Sequence, residues 1–128
     1  MPKKDIVLDS SFLMVVSRIK LSETLPLKSL LGQFNVVVPK AVVRELEKVA
    51  KGKSIRAKNA MTALQIAQKY EMTDEVPQGN VDDTIIELAQ KRIAAVATLD
   101  AELMASLKTV GVAVITLRKN RLVGLDNA

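Results

Sequence analysis

The chain has 128 residues, 48% of them apolar and 26% charged, which suits a single domain over 1–128 with one hydrophobic core. It contains no cysteine and no histidine, which excludes disulfides, thiolate nucleophiles, Cys/His zinc sites and imidazole bases and leaves carboxylates, hydroxyls, lysines or an oxygen-held metal. A net charge of +5 and a pI near 9.6 favour a polyanionic partner, but Phe12, Phe34 and Tyr70 are the only aromatic residues, too few for a base-stacking platform.

In chain order, "DIVLD" (5–9) and "FNVVVP" (34–39) read as buried strands, and "IAAVATL" (93–99) and "VGVAVITL" (110–117) repeat the type. "RLVGL" (121–125) adds an edge strand. Between them, helical spacing marks "SSFLMVVSRIKL", then "PKAVVRELEKVAKG" with Pro39 in its first turn and Gly52 as its stop. An Ala-rich stretch from Ser54 to Tyr70, "VDDTIIELAQKR" and "AELMASLKTVG" complete the helices. "TDEVPQGN" (73–80) is the loop richest in turn residues. This alternation predicts a three-layer α/β/α fold around a mostly parallel sheet.

No apolar run approaches the ~20 residues of a membrane span. Asp5, Asp9, Ser10 and Ser11 interrupt the N-terminal apolar run too early for a signal peptide. A cytoplasmic chain without a membrane partner is therefore expected.

Two acids end strands and open helices, Asp9 in "IVLD" and Asp100 in "VATLD". Sites in parallel α/β sheets form outside the carboxyl ends of the strands, although each acid is also placed to cap the following helix. In "DDTIIELAQKRI" the apolar face is marked by Ile85, Ile86, Ala89 and Ile93, with Leu88 to one side. At ~100° per residue Asp82 falls within roughly 30° of that face and Asp83 about 100° or more away. An ionised carboxylate aimed inward needs compensation, so Asp82 is the functional candidate and Asp83 the solvent-facing one. On "KAVVRELEKVAKG" the wheel places Glu45 and Glu47 on opposite edges of the buried stripe and does not choose between them.

Converging, these acids repel one another and require cations. Oxygen donors with water suit Mg²⁺ or Mn²⁺, which activates water and neutralises phosphate charge. "KVAKGKSIRAK" carries Lys48, Lys51, Lys53, Arg56 and Lys58 without an acid, a strip fit either for solvent or for tracking an RNA backbone. Arg118, Lys119 and Arg121 form a second basic group, read as a solvated turn. "GKS" at 52–54 is not a nucleotide-binding loop, because position 47 is Glu where that motif needs Gly.

In order and spacing, "IVLDSSFL", "VPKAVVREL", "VDDTIIELA" and "VATLDAEL", followed by "GVAVITLR", resemble the PIN-domain nucleases over nearly the whole chain. Within that family the chain is most similar to small archaeal PIN proteins related to the nuclease that processes small-subunit ribosomal RNA precursors, with VapC-type toxins next. The resemblance implies Mg²⁺- or Mn²⁺-dependent cutting of single-stranded or looped RNA. It implies Asp9, Glu45, Asp82 and Asp100 as the acidic metal set, with Asp9 and Asp100 as direct ligands, and it alone selects Glu45 over Glu47.

Thr98 matches a hydroxyl position near the site. Ser11 stands where many members place Asn, and Glu102 stands where toxins often place a second Asp, its longer arm expected outside the metal shell. RNA, a homodimer mate, and either pre-ribosomal components or an antitoxin are the implied partners. A non-catalytic RNA- or protein-binding scaffold is the alternative of another class. A phosphotransfer receiver fits poorly, because "LDSS" lacks its acidic pair.

Overall fold

The computed structural model describes residues 3–18, 31–74, 79–119 and 121–125. The last residues of the first predicted helix and residues 75–78 of the 73–80 loop lie outside them. Six strands form one sheet: β1 (Lys4–Leu8), β2 (Phe34–Pro39), β3 (Glu71–Thr73), β4 (Ala95–Ala97), β5 (Val114–Arg118) and β6 (Arg121–Leu125). Their order is β3-β2-β1-β4-β5-β6, parallel except for the antiparallel edge strand β6. The expected tail strand is therefore present at the edge.

Among the described residues there are five helices: α1 (Ser10–Val16), α2 (Lys40–Ala50), α3 (Ile55–Ala67), α4 (Val81–Arg92) and α5 (Ala101–Thr109). None is long and apolar enough to cross a membrane. The chain winds from β1 outward to β3, crosses back to β4 and continues to β5. Right-handed crossovers therefore put α1, α2 and α3 on one face and α4 and α5 on the other. Accordingly α1, α2 and α3 pack on one another, while α4 packs on α5, β1 and β4.

Central strands covered on both faces need continuous apolar runs. Ile6, Val7 and Leu8 of β1 and Val36, Val37 and Val38 of β2 are all buried, as is Phe12 of α1. At the amino end of the sheet, Arg92 pairs with Asp5 at 3.3 Å and Glu71 at 2.9 Å, joining α4 to β1 and β3.

Three expectations are corrected. Pro39 ends β2 and occupies the N-cap position of α2 rather than its first turn, while α2 ends at Ala50 with Lys51 as its C-cap and Gly52 directly after it, as expected of a stop. Strand β3 lies between the expected helix, which ran to Tyr70, and the loop expected from Thr73, because pairing with Val37, Val38 and Pro39 of β2 extends three residues with no sequence pattern of their own. Strand β4 is only Ala95–Ala97, since Ile93 adopts the left-handed conformation that ends α4 (φ 54°, ψ 47°). The Ala94 N–H then closes on the Ala89 carbonyl at 2.9 Å, the bond that terminates a helix in a Schellman turn.

Candidate active site

The sheet reverses its winding between β1 and β4, and the crevice at that switch point is where doubly wound sheets bind ligands. Register fixes what lies there: Leu8 faces Ala97, and the Asp9 N–H bonds the Ala97 carbonyl at 3.0 Å. Asp9 and Thr98 thus leave adjacent strand ends side by side.

Asp9 is 4% exposed and Thr98 0%. Asp9 occupies the N-cap position of α1 but makes no side-chain cap bond; its Oδ2 accepts instead from Ser11 Oγ and Thr98 Oγ1, each at 2.7 Å. Those hydroxyls accept in turn from the backbone N–H groups of Leu99 (3.0 Å) and Asp100 (3.1 Å). Two relays therefore run from backbone amide through hydroxyl to carboxylate, which compensates the burial of a charge. Both Ser11, which stands where many family members place Asn, and Thr98 thus bond the Asp9 carboxylate.

The other acids arrive from separate elements. Glu45, on α2, is half-buried and accepts a hydrogen bond from Ser10 Oγ, whereas Glu47 is exposed. Asp100 is exposed and spends Oδ1 capping α5, accepting from the N–H groups of Glu102 (2.9 Å) and Leu103 (3.1 Å). The capping possibility raised by sequence is thus realised at Asp100 and not at Asp9.

Asp82 is half-buried and Asp83 exposed, but the wheel behind that distinction was misdrawn. The buried stripe of α4 is Thr84, Ile85, Leu88 and Ala89, and Ile93 is 82% exposed. Recentred on that stripe, Asp82 lies on its flank, about 90° away, facing the crevice edge rather than the core. Asn80 caps α4, accepting from the Asp83 N–H at 2.8 Å.

The Asp82 carboxyl is pushed above the ordinary aspartate range, first by desolvation and then by the charges of Asp9, Asp100, Glu45 and Glu102. Acids far apart in sequence therefore act on one point. Glu102 is the least of these influences, and its side chain is exposed. Asp5, Glu71 and Asp74 elsewhere are paired with Arg92 or Lys40, but no ion pair among the described residues involves the crevice acids.

An all-carboxylate donor set without a neutralising side chain fits a hard divalent cation in kind. No three acids among the described residues are gathered as a ready chelate. That still fits Mg²⁺, which ordinarily takes one or two carboxylates and keeps several waters.

The basic strip divides. Arg56 lines a cavity of about 490 Å³ that also includes Ser10, Ser11 and Glu45. Lys48 lines a second of about 300 Å³ on the other side of Glu45, together with Arg44 and Gly79. Lys51, Lys53 and Lys58 are exposed and border neither. Arg118 and Lys119 sit exposed at the β5–β6 turn, Lys119 with φ 52°, and the Arg121 side chain lies outside the described residues. Sequence reading missed Ser10 as more than a cap and missed Arg44, and no local pattern distinguishes either.

These features define an α/β domain with a buried, hydroxyl-held aspartate at the switch point of a doubly wound sheet. The chain belongs to the PIN-like domain family, whose sequence profile matches residues 6–120. No curated protein matches the sequence significantly. Among solved structures, the chain is similar to the PIN domain endonuclease Utp24, with TM-score 0.73 and 23% identity over 97% of this chain and 92% of that one. It is also similar to a domain of a functionally unknown protein from Methanocaldococcus jannaschii DSM 2661, with TM-score 0.71 and 19% identity over 90% and 91% of the two chains. At these identities the likeness is one of fold.

Proposed function

We propose that this protein is a metal-dependent endoribonuclease that cuts single-stranded or looped RNA. The observation that carries the reading is Asp9, buried at the switch point and held by Ser11 and Thr98, with Glu45, Asp82 and Asp100 close enough for their charges to act on one another, in a chain with the fold of a PIN domain endonuclease. Asp9, Glu45, Asp82 and Asp100 would hold Mg²⁺ or Mn²⁺. When bound, the ion supplies activated water and neutralises charge on the phosphate during in-line displacement.

The chain's own groups prepare that step. Ser11 and Thr98 fix the Asp9 carboxylate in one orientation, and Ser10 fixes Glu45. Asp9 and Asp100 would be the direct ligands, and Glu45 and Asp82 would complete the shell or position the attacking water. Lys48 and Arg56 border the two cavities that share Glu45 and would hold the RNA backbone as it passes the acids. Maturation of small-subunit ribosomal RNA precursors is the proposed role, supported by the resemblance to small archaeal PIN proteins, with a VapC-type toxin ribonuclease as the alternative.

The test is cleavage of an end-labelled RNA bearing single-stranded loops, with Mn²⁺ or EDTA. Wild type and Asp83→Asn are expected to cut with metal only, and Asp9→Asn and Asp82→Asn to lose cutting. RNA binding that survives EDTA and alanine at all four acids, with no cutting by folded wild type under either metal, would make the protein a binding scaffold instead.

A further inference from the structure

The larger cavity beside Glu45 has a lining that metal chemistry does not explain. It runs between α1, α2 and α3. Its lining combines apolar Met14, Val49 and Ile55 with Arg18, Arg56 and Asn59, beside the carboxylate of Glu45. Ile55 is 78% exposed, so an aliphatic side chain stands open in the same groove as two guanidinium groups.

We propose that this groove is a nucleotide subsite, holding one unpaired ribonucleotide of the strand being cut with its base against Ile55 and Met14. The inference rests on the nuclease reading for the identity of the ligand. About 490 Å³ lies within the roughly 300–1,000 Å³ typical of small-ligand sites.

Charge complementarity selects the occupant: two guanidinium groups suit the phosphates flanking a nucleotide, and the Asn59 amide offers both donor and acceptor to a base edge. Aromatic stacking is not available here, since Phe12 is fully buried and Phe34 and Tyr70 line a different cavity at the amino end of the sheet. The base is met by aliphatic surface instead. A duplex keeps its bases stacked inside and presents only backbone, so the groove selects single strands. On the far side of Glu45, Arg44 and Lys48 border the smaller cavity. The strand thus crosses α2 at Glu45, with cations on both sides of the acids.

The experiment measures binding in EDTA, where nothing is cut, by fluorescence anisotropy of labelled eight-nucleotide A, C and U homopolymers and of a blunt RNA duplex. Ile55→Ala and Asn59→Ala are expected to weaken single-strand binding about tenfold with an unchanged salt slope. Arg56→Ala is expected to lower the slope by about one, and Lys108→Ala, on the exposed face of α5, to change nothing.

The proposal is overturned if Ile55→Ala and Asn59→Ala bind single strands like wild type, if wild type holds the duplex as tightly as the single strands, or if it binds no RNA. Failure of the nuclease reading looks different: the groove variants lose binding as expected, but wild type with Mn²⁺ cuts none of the single strands. Conversely, cutting that needs Asp9 but ignores Ile55 and Asn59 keeps the nuclease and removes the subsite.

Discussion

Replacing Thr98 by valine tests the hydrogen-bonded relay that holds Asp9. Valine matches threonine in shape, so the change deletes one hydroxyl and opens no cavity at a position that is 0% exposed. The hydroxyl donates to the Asp9 carboxylate at 2.7 Å and accepts from the Asp100 N–H at 3.1 Å. A hydrogen bond to a charged group contributes about 1.5–3 kcal/mol, and stranding the amide adds to the loss; Ser11 still holds Asp9 Oδ2, which limits it.

We therefore expect Thr98→Val to cost about 2–3 kcal/mol, or about 7–12 °C in Tm for a chain of this length. Thr98→Ser keeps the hydroxyl and removes one methyl group, for about 1 kcal/mol. In the Asp9→Asn background the acceptor is neutral, and the valine penalty is expected to shrink by about 1 kcal/mol. Urea unfolding in EDTA at constant m measures each value. The reasoning fails if valine costs no more than serine, because packing alone favours valine, or if the double mutant is additive within about 0.3 kcal/mol.

Asp82 carries a pH signature. Its folded-state carboxyl binds a proton more tightly than the unfolded chain does, so its contribution is most favourable below the unfolded pKa and is lost as pH rises through the folded one. In EDTA, Asp82→Asn is expected to gain stability on wild type across that acidic window and then hold a constant advantage; parallel stability–pH curves would contradict the converging charges. Ile93 takes φ 54° while 82% exposed, a left-handed conformation that is strained for a β-branched residue. Ile93→Gly is expected to raise stability by about 0.5–1 kcal/mol in urea unfolding, the relieved strain exceeding glycine's added chain entropy; a loss would show that the exposed side chain packs.

Much of the fold was legible because strands covered on both faces announce themselves. The Val-rich runs gave β1, β2 and β5, and helical spacing gave α2 and α4. β3 was not legible: Glu71, Met72 and Thr73 owe their extension to pairing with β2, and pairing is not a local property. Nor was the true burial face of α4, because Ile93 looks apolar in sequence yet sits past the helix end, where the backbone turns left-handed.

The candidate site divides along the same line. Sequence by itself put acids at the ends of "IVLD" and "VATLD", since strand ends are written in short-range patterns, and it set Asp82 apart from Asp83 on a helix face that the structure then redrew. It also removed histidine and cysteine chemistry. Only the tertiary structure decided that Asp9 is held by Thr98, 89 residues away, and Glu45 by Ser10, 35 away. It likewise decided that Asp100 caps its own helix and that Arg56 reaches the groove while Lys51 and Lys53 do not. Side-chain hydrogen bonds at that separation depend on which strands are neighbours and in what register, and strand order is set by packing of the whole core.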